Sequence, residues 1–112
     1  MPIQQWSEHI WVLQLGDEPG FSDTLAAVDE QARQMQFMPD VVIDLRDVRH
    51  INSSQLSALL RLRKCAIDHE SQLRLAQPTD GVWAVFLATG LDKVFSFAPD
   101  VATALAELQM RR

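Results

Sequence analysis

Apolar residues come along this chain in short blocks, and the spacing within each block changes from strand-like to helix-like and back. Ile3 to Trp6 and Ile10 to Leu15 carry Ile, Trp and Val on either side of the polar Ser7-Glu8-His9, which predicts a β-hairpin. Gly16-Asp17-Glu18-Pro19-Gly20 breaks the pattern. Beyond it, Ser22 or Asp23 can cap a helix with Leu25, Ala26, Val28, Ala32 and Met35 at helical spacing, ending by Gln36 ahead of Pro39. Val41-Val42-Ile43-Asp44-Leu45 is almost continuously apolar and β-branched, the signature of a strand covered on both faces and hence of the centre of a parallel sheet. Asn52 and Gln55 are spaced as the two ends of a capping box, so Asn52-Ser53-Ser54-Gln55 opens a second helix. Its apolar face is read as Leu56, Leu59, Leu60, Ala66 and Ile67; Arg63 falls inside that arc, its stem packing and its head reaching water.

Leu73 to Ala76 gives a further parallel strand, Pro78-Thr79-Asp80 a cap, and Gly90 the stop of the following helix. Val94 to Phe97 is a short strand, and Pro99 opens a last helix with Val101, Leu105 and Leu108 inward and Arg111 and Arg112 at its negative end. The order ββαβαβαβα is an α/β fold, a mostly parallel sheet begun by a hairpin with helices packed on it. At 112 residues, without repeat or linker, residues 1–112 are expected to form a single domain.

Composition narrows the function. A 47% apolar and 22% charged chain is globular rather than disordered, and a net charge of −5 speaks against a surface built to neutralise phosphate backbones, so nucleic acid is not an expected partner. No stretch reads as a signal peptide or a membrane span; with Cys65 the single cysteine, the reducing cytoplasm is the expected location and no membrane insertion is foreseen.

Candidate chemistry is sparse. His50, Ser53 and Asp47 lie close in sequence, but Ser53 lacks the glycine frame of a nucleophile elbow and stands where a helix opens, so a hydrolytic triad is set aside. His9, His50 and His69 lack zinc-ligand spacing; Asp44 and Asp47 have no phosphate-cradling loop beside them and are read as structural. No metal, cofactor or enzymatic site is expected. The informative place is the strand-to-helix junction at Ser53, on the carboxyl edge of the sheet where open α/β folds recognise ligands. A phosphate there would meet free N–H groups and the positive end of a helix, tolerable to the helix and disruptive to a docked partner.

The stretch Val41-Val42-Ile43-Asp44-Leu45-Arg46-Asp47-Val48, followed by Ile51-Asn52-Ser53-Ser54-Gln55-Leu56, resembles the core signature of STAS domains of the anti-sigma-factor antagonist type. Thr89-Gly90-Leu91-Asp92-Lys93-Val94-Phe95 resembles the family's second landmark, and the likeness runs from Ile10 onward. The resemblance implies a non-enzymatic regulator that binds an anti-sigma factor that is itself a serine kinase, and is released when that partner phosphorylates the first serine of the pair, Ser53. The alternative it leaves is a scaffold subunit, in a stressosome-like assembly or as the small cytoplasmic component of a lipid-transport complex. Asn52 stands where the family has Asp and Gln55 where it has Gly, which places a long side chain at the surface a kinase must approach. Partner contacts are expected from Asn52, Ser54 and Gln55, extended by Trp83 and Leu87, which share a face at i, i+4 outside the core positions Val82, Val85 and Phe86. Self-association is left open.

Overall fold

The computed structural model describes residues 3–110. Five strands lie side by side in chain order: β1 (Ile3–Gln5), β2 (Ile10–Gln14), β3 (Asp40–Asp44), β4 (Leu73–Ala76) and β5 (Phe97–Ala98). The first pair is antiparallel and the others are parallel. Helices α1 (Gly20–Gln34), α2 (Ser53–Asp68), α3 (Asp80–Thr89) and α4 (Val101–Met110) make the crossovers and the last element. Every residue of β3 is buried, because alternate side chains enter two different cores.

Val41, Ile43 and Leu45 join Trp11, Leu13, Leu75 and the inner faces of α1, α2 and α3 in the larger core. Val42 faces the other way, with Ile10, Val12, Ala76 and Ala98, and is covered by Ala104 and Leu108 of α4. Alanines at three of these positions let α4 lie close to the sheet. Each fully buried Leu, Ile or Phe contributes about 1.5–3 kcal/mol relative to exposure, so the two cores fix the strand order, and with it the end of the sheet where α2 starts.

Several sequence expectations need correction. Helix α1 begins at Gly20, ahead of the expected Ser22 or Asp23 cap: the Glu18 carboxylate reaches forward and accepts from the Ser22 N–H at 2.8 Å and from its hydroxyl. Phe21 and Thr24 are buried with Leu25, Val28 and Ala32, whereas Ala26 faces solvent and Met35 is half-buried. On α2 the buried line is Leu56, Leu59, Leu62 and Ala66; Leu60 is half-buried and Ile67 is 54% exposed. The Arg63 side chain does not simply reach water, since its Nε–H donates to the Val94 carbonyl at 3.1 Å.

The strand expected at Val94–Phe97 lies later. Gly90, with φ +76°, turns the chain into a 3-10 segment, Leu91–Lys93, and the N–H groups of Val94 and Phe95 both donate to the Leu91 carbonyl. Phe95 is thereby spent on core packing against Phe86, and only Phe97 and Ala98 pair with β4. In α4 the fully buried positions are Ala104 and Leu108, with Val101 and Leu105 half-buried. Arg111 and Arg112 lie outside the described residues. Among those that are described, no helix is long and apolar enough to cross a membrane.

Candidate functional site

The amino end of α2 follows β3 by way of residues 45–52, and each part of that link is tied down. The Asp44 carboxylate, almost fully buried, accepts from the Arg46 N–H at 3.1 Å and pairs with Arg46 Nε at 3.0 Å, holding the chain as it leaves the sheet. Asp47 accepts from Gln14 Nε2 at 2.9 Å, and Asp17 accepts from the Arg49 N–H at 3.0 Å. From the far side, the Thr79 hydroxyl donates to the Val48 carbonyl at 3.1 Å while accepting from the Val82 N–H, so the residue that caps α3 also pins the link. The anchors from Gln14, Asp17 and Thr79 span 31 to 33 residues of sequence, and no local pattern could have disclosed them.

At Asn52 the capping box is complete. The Gln55 N–H donates to Asn52 Oδ1 at 2.9 Å, and the Asn52 N–H donates to Gln55 Oε1 at 2.8 Å. The Leu56 N–H donates to the Asn52 carbonyl. That leaves the N–H groups of Ser53 and Ser54 without an acceptor among the described residues, at the positive end of a 16-residue helix. Both serine side chains are exposed. Ser54 also borders a groove of about 340 Å³ between α1 and α2, lined by Ser22, Ala26, Ala58 and Arg61 among others. Chemically this edge offers two free donors, two hydroxyls and a helix dipole, a set suited to accepting negative charge.

Two expected contact residues are placed otherwise. Gln55 is 3% exposed; its side chain folds back into the cap and presents nothing long to an approaching protein. Trp83 is half-buried and does not share a free face with Leu87: its ring stands edge-on to Phe97 of β5, centroids 4.9 Å apart, packed against the larger core. Val85 is likewise half-buried, and Leu87 is 51% exposed. Asn52, Ser53 and Ser54 remain at the surface.

His50, Ser53 and Asp47 are not joined by hydrogen bonds, the Asp47 carboxylate being engaged by Gln14. Among the described residues, no cluster of His, Cys, Asp and Glu could hold a metal ion. Around the same edge, on the α4 side of the sheet, Gln14, Asp44, Arg46, Gln77 and Asp100 border a polar cleft of about 300 Å³. The Thr103 N–H donates to Asp100 at 2.7 Å and holds that carboxyl below its ordinary pKa.

An open, mostly parallel sheet with an antiparallel first strand, two helix layers and an exposed serine pair opening the helix after the central strand is the arrangement of a STAS domain. The STAS domain family model matches residues 4–104, and the chain belongs to that family. Solved structures agree on the fold. A putative anti-sigma factor antagonist from Thermotoga maritima superposes with a TM-score of 0.81 at 17% identity, covering 96% of this chain and 93% of its own. The anti-sigma factor antagonist SpoIIAA in its unphosphorylated form gives 0.79 at 15% identity, over 96% and 94%. A chain from the stressosome, described as a signal integration and transduction hub, gives 0.75 at 16% identity, over 96% of each. Compared by sequence with curated proteins, the chain finds no match.

Proposed function

We propose that this chain is a one-domain regulatory binding module of the anti-sigma-factor antagonist kind, which docks a serine-kinase anti-sigma factor through the start of α2 and is released by phosphorylation of Ser53. The observation that carries the reading is the exposure of Ser53 at the first position of a helix whose neighbouring N–H groups have no acceptor among the described residues. A phosphate on Ser53 would be met by those donors and by the helix dipole, leaving the fold intact. The same 1.5–2 or so negative charges, set in the middle of a docked surface, would oppose binding by desolvation and repulsion. Asn52 and Ser54 complete the contact surface, and Leu87 supplies an apolar margin.

The antagonists among the structural neighbours support this reading. It requires neither metal nor cofactor, assigns no catalytic residue, and places the protein in the cytoplasm beside its partner. The test is incubation with an anti-sigma-factor kinase from the same cells and ATP. The expected outcome is a gain of one phosphate in intact mass that Ser53→Ala abolishes, with release of the bound kinase. A gain that survives Ser53→Ala overturns the assignment.

One observation favours a second reading, that of a scaffold subunit whose serine is not a substrate. The reciprocal bonds between Asn52 and Gln55 clamp the turn that a kinase would have to draw into its own active site. The stressosome chain among the neighbours is consistent with such a role. Stable co-assembly with other STAS subunits, with no mass change under kinase and ATP, would select it.

A further inference from the structure

We infer that the cavity at the amino end of β4, between the last turns of α2 and the segment leading into β5, binds a small organic monocarboxylate with a branched or aromatic body. The cavity holds about 170 Å³, below the range of about 300–1,000 Å³ that takes drug-sized ligands, so its occupant is small. Its polar lining includes Arg63, Gln72 and Arg74, its apolar lining Ile67, Val94 and Phe95, and no Asp or Glu is among its described lining residues. In a chain with a net charge of −5, two guanidinium groups bordering one cavity with no carboxylate in its lining reverse the sign of the local field.

The hydrogen bonds already made set the ligand's charge. Arg63 donates through Nε–H to the Val94 carbonyl at 3.1 Å, which ties α2 to the segment before β5 and holds the guanidinium at the cavity. Its two terminal nitrogens have no acceptor among the described residues, and they form the fork that a carboxylate meets with two parallel hydrogen bonds. Arg74 is largely spent: Nη1 donates to Gln72 Oε1 and to the Leu73 carbonyl, both at 3.2 Å, and Nε lies 3.5 Å from the Glu107 carboxylate. Asp40, also close by, is buried and accepts from the Gln72 N–H at 2.8 Å. One positive charge is therefore left without a carboxylate, that of Arg63, with Gln72 Nε2 beside it as a neutral donor, and a single negative charge balances the site.

The apolar lining selects the body. Ile67 is 54% exposed and Val94 37%, large aliphatic side chains that the fold leaves at the same cavity as the Arg63 fork. A group the size of isobutyl or phenyl would cover them. Inorganic phosphate would instead give up its hydration against them and gain nothing from their burial. Arg63 lies about 15 Å along α2 from Ser53, at 1.5 Å per residue, so the site stands independently of the reading given for Ser53.

The test titrates the isotope-labelled full chain with isovalerate and with benzoate near neutral pH and follows the backbone amide resonances. Saturable shifts centred on residues 63–74 and 94–96 are expected, with a Kd of about 1 mM or below. Isovaleramide and benzamide, the same bodies without the charge, should bind about tenfold or more weakly. Arg63→Met, which keeps the apolar stem and removes the fork, should weaken the acids by about tenfold or more. Ile67→Asp, at an exposed position, sets a carboxylate at the rim and should do the same, with the dispersion of the spectra reporting that the fold is kept. Arg61→Met makes the same charge change at an exposed residue outside this lining and should leave binding unchanged. Absence of saturable shifts, amides that bind as tightly as the acids, phosphate that produces the same shifts, or an Arg61→Met loss equal to that of Arg63→Met would each overturn the inference. So would undiminished binding by Ile67→Asp.

Discussion

Asn52 and Gln55 each accept a hydrogen bond from the other's backbone N–H, at 2.9 and 2.8 Å, so that the turn holding Ser53 and Ser54 is closed at both ends. Because each side chain protects the other's donor, removing either leaves an unpaired N–H as well as a lost bond. Asn52→Ala is expected to cost about 1–2 kcal/mol, as for other helix caps. Gln55→Ala, at a buried position, should cost about as much through its unsatisfied partner. In urea unfolding the double variant should fall short of the sum of the two, since loss of either bond loosens the turn that positions the other. Strict additivity would show that the box is not a unit.

Ser53→Glu separates the fold from the switch. A carboxylate at the first position of a helix is favoured by the dipole, so stability should stay within about 0.5 kcal/mol of wild type or rise. On the proposed reading, capture of the anti-sigma partner should fall about tenfold or more, equivalent to 1.4 kcal/mol or above. Thermal melting and a pull-down on the same preparation read both. Undiminished capture would place the docking surface elsewhere.

Trp83 and Leu87 should part company, although their spacing puts them one turn apart. Trp83 lies edge-on to Phe97 and contributes to the core, so Trp83→Ala is expected to cost roughly 1–3 kcal/mol, less than a fully buried tryptophan because the side chain is only partly covered. Leu87→Ala should change stability by about 0.5 kcal/mol or less. Equal effects on the unfolding midpoint would contradict the packing described for α3.

Cys65 offers a further check on α2. Burial raises the thiol above its ordinary pKa of 9.0, and the carboxylates of Asp29 and Asp68 push the same way, with Arg33 opposing. Alkylation by iodoacetamide near neutral pH should therefore be slower than that of a free thiol, and its rate should climb with a midpoint above 9.0. A reactive thiolate at neutral pH would mean that the thiol is not buried as described, with Asp29 and Asp68 beside it.

How far the sequence could be read depends on how local each determinant is. The Val41–Leu45 run declared a doubly covered strand because both of its neighbouring layers demand apolar side chains, and the Asn52/Gln55 spacing declared a cap because that motif closes within four residues. What stayed hidden was non-local or ambiguous in period. The pins on the link before α2 come from Asp17 and Thr79, some 31 or 32 residues away. Phe95 suits a strand by sequence because an aromatic residue near a β-branched one fits either state, and only its contact with Phe86 decides. Gln55 shows the same limit at the site itself: its cap spacing was legible, yet whether the side chain then faced a partner or folded into the protein was not.

The amino end of α4 should make stability depend on acidity in one direction. The Thr103 N–H donates to the Asp100 carboxylate, and that bond lowers the folded-state pKa below the ordinary 3.8 of the unfolded chain. A group whose folded pKa is depressed binds fewer protons in the native state, so its stabilisation is fully present above the unfolded value. It is lost as pH falls through the lower folded one. Asp100→Asn retains an oxygen to cap Thr103 but does not titrate there. The difference in urea midpoint between wild type and Asp100→Asn should therefore be constant near neutrality and should change only below about pH 4, to the disadvantage of the wild type. A difference that moves near neutral pH, or that shifts toward the wild type in acid, would mean that the carboxylate is not held by the α4 cap.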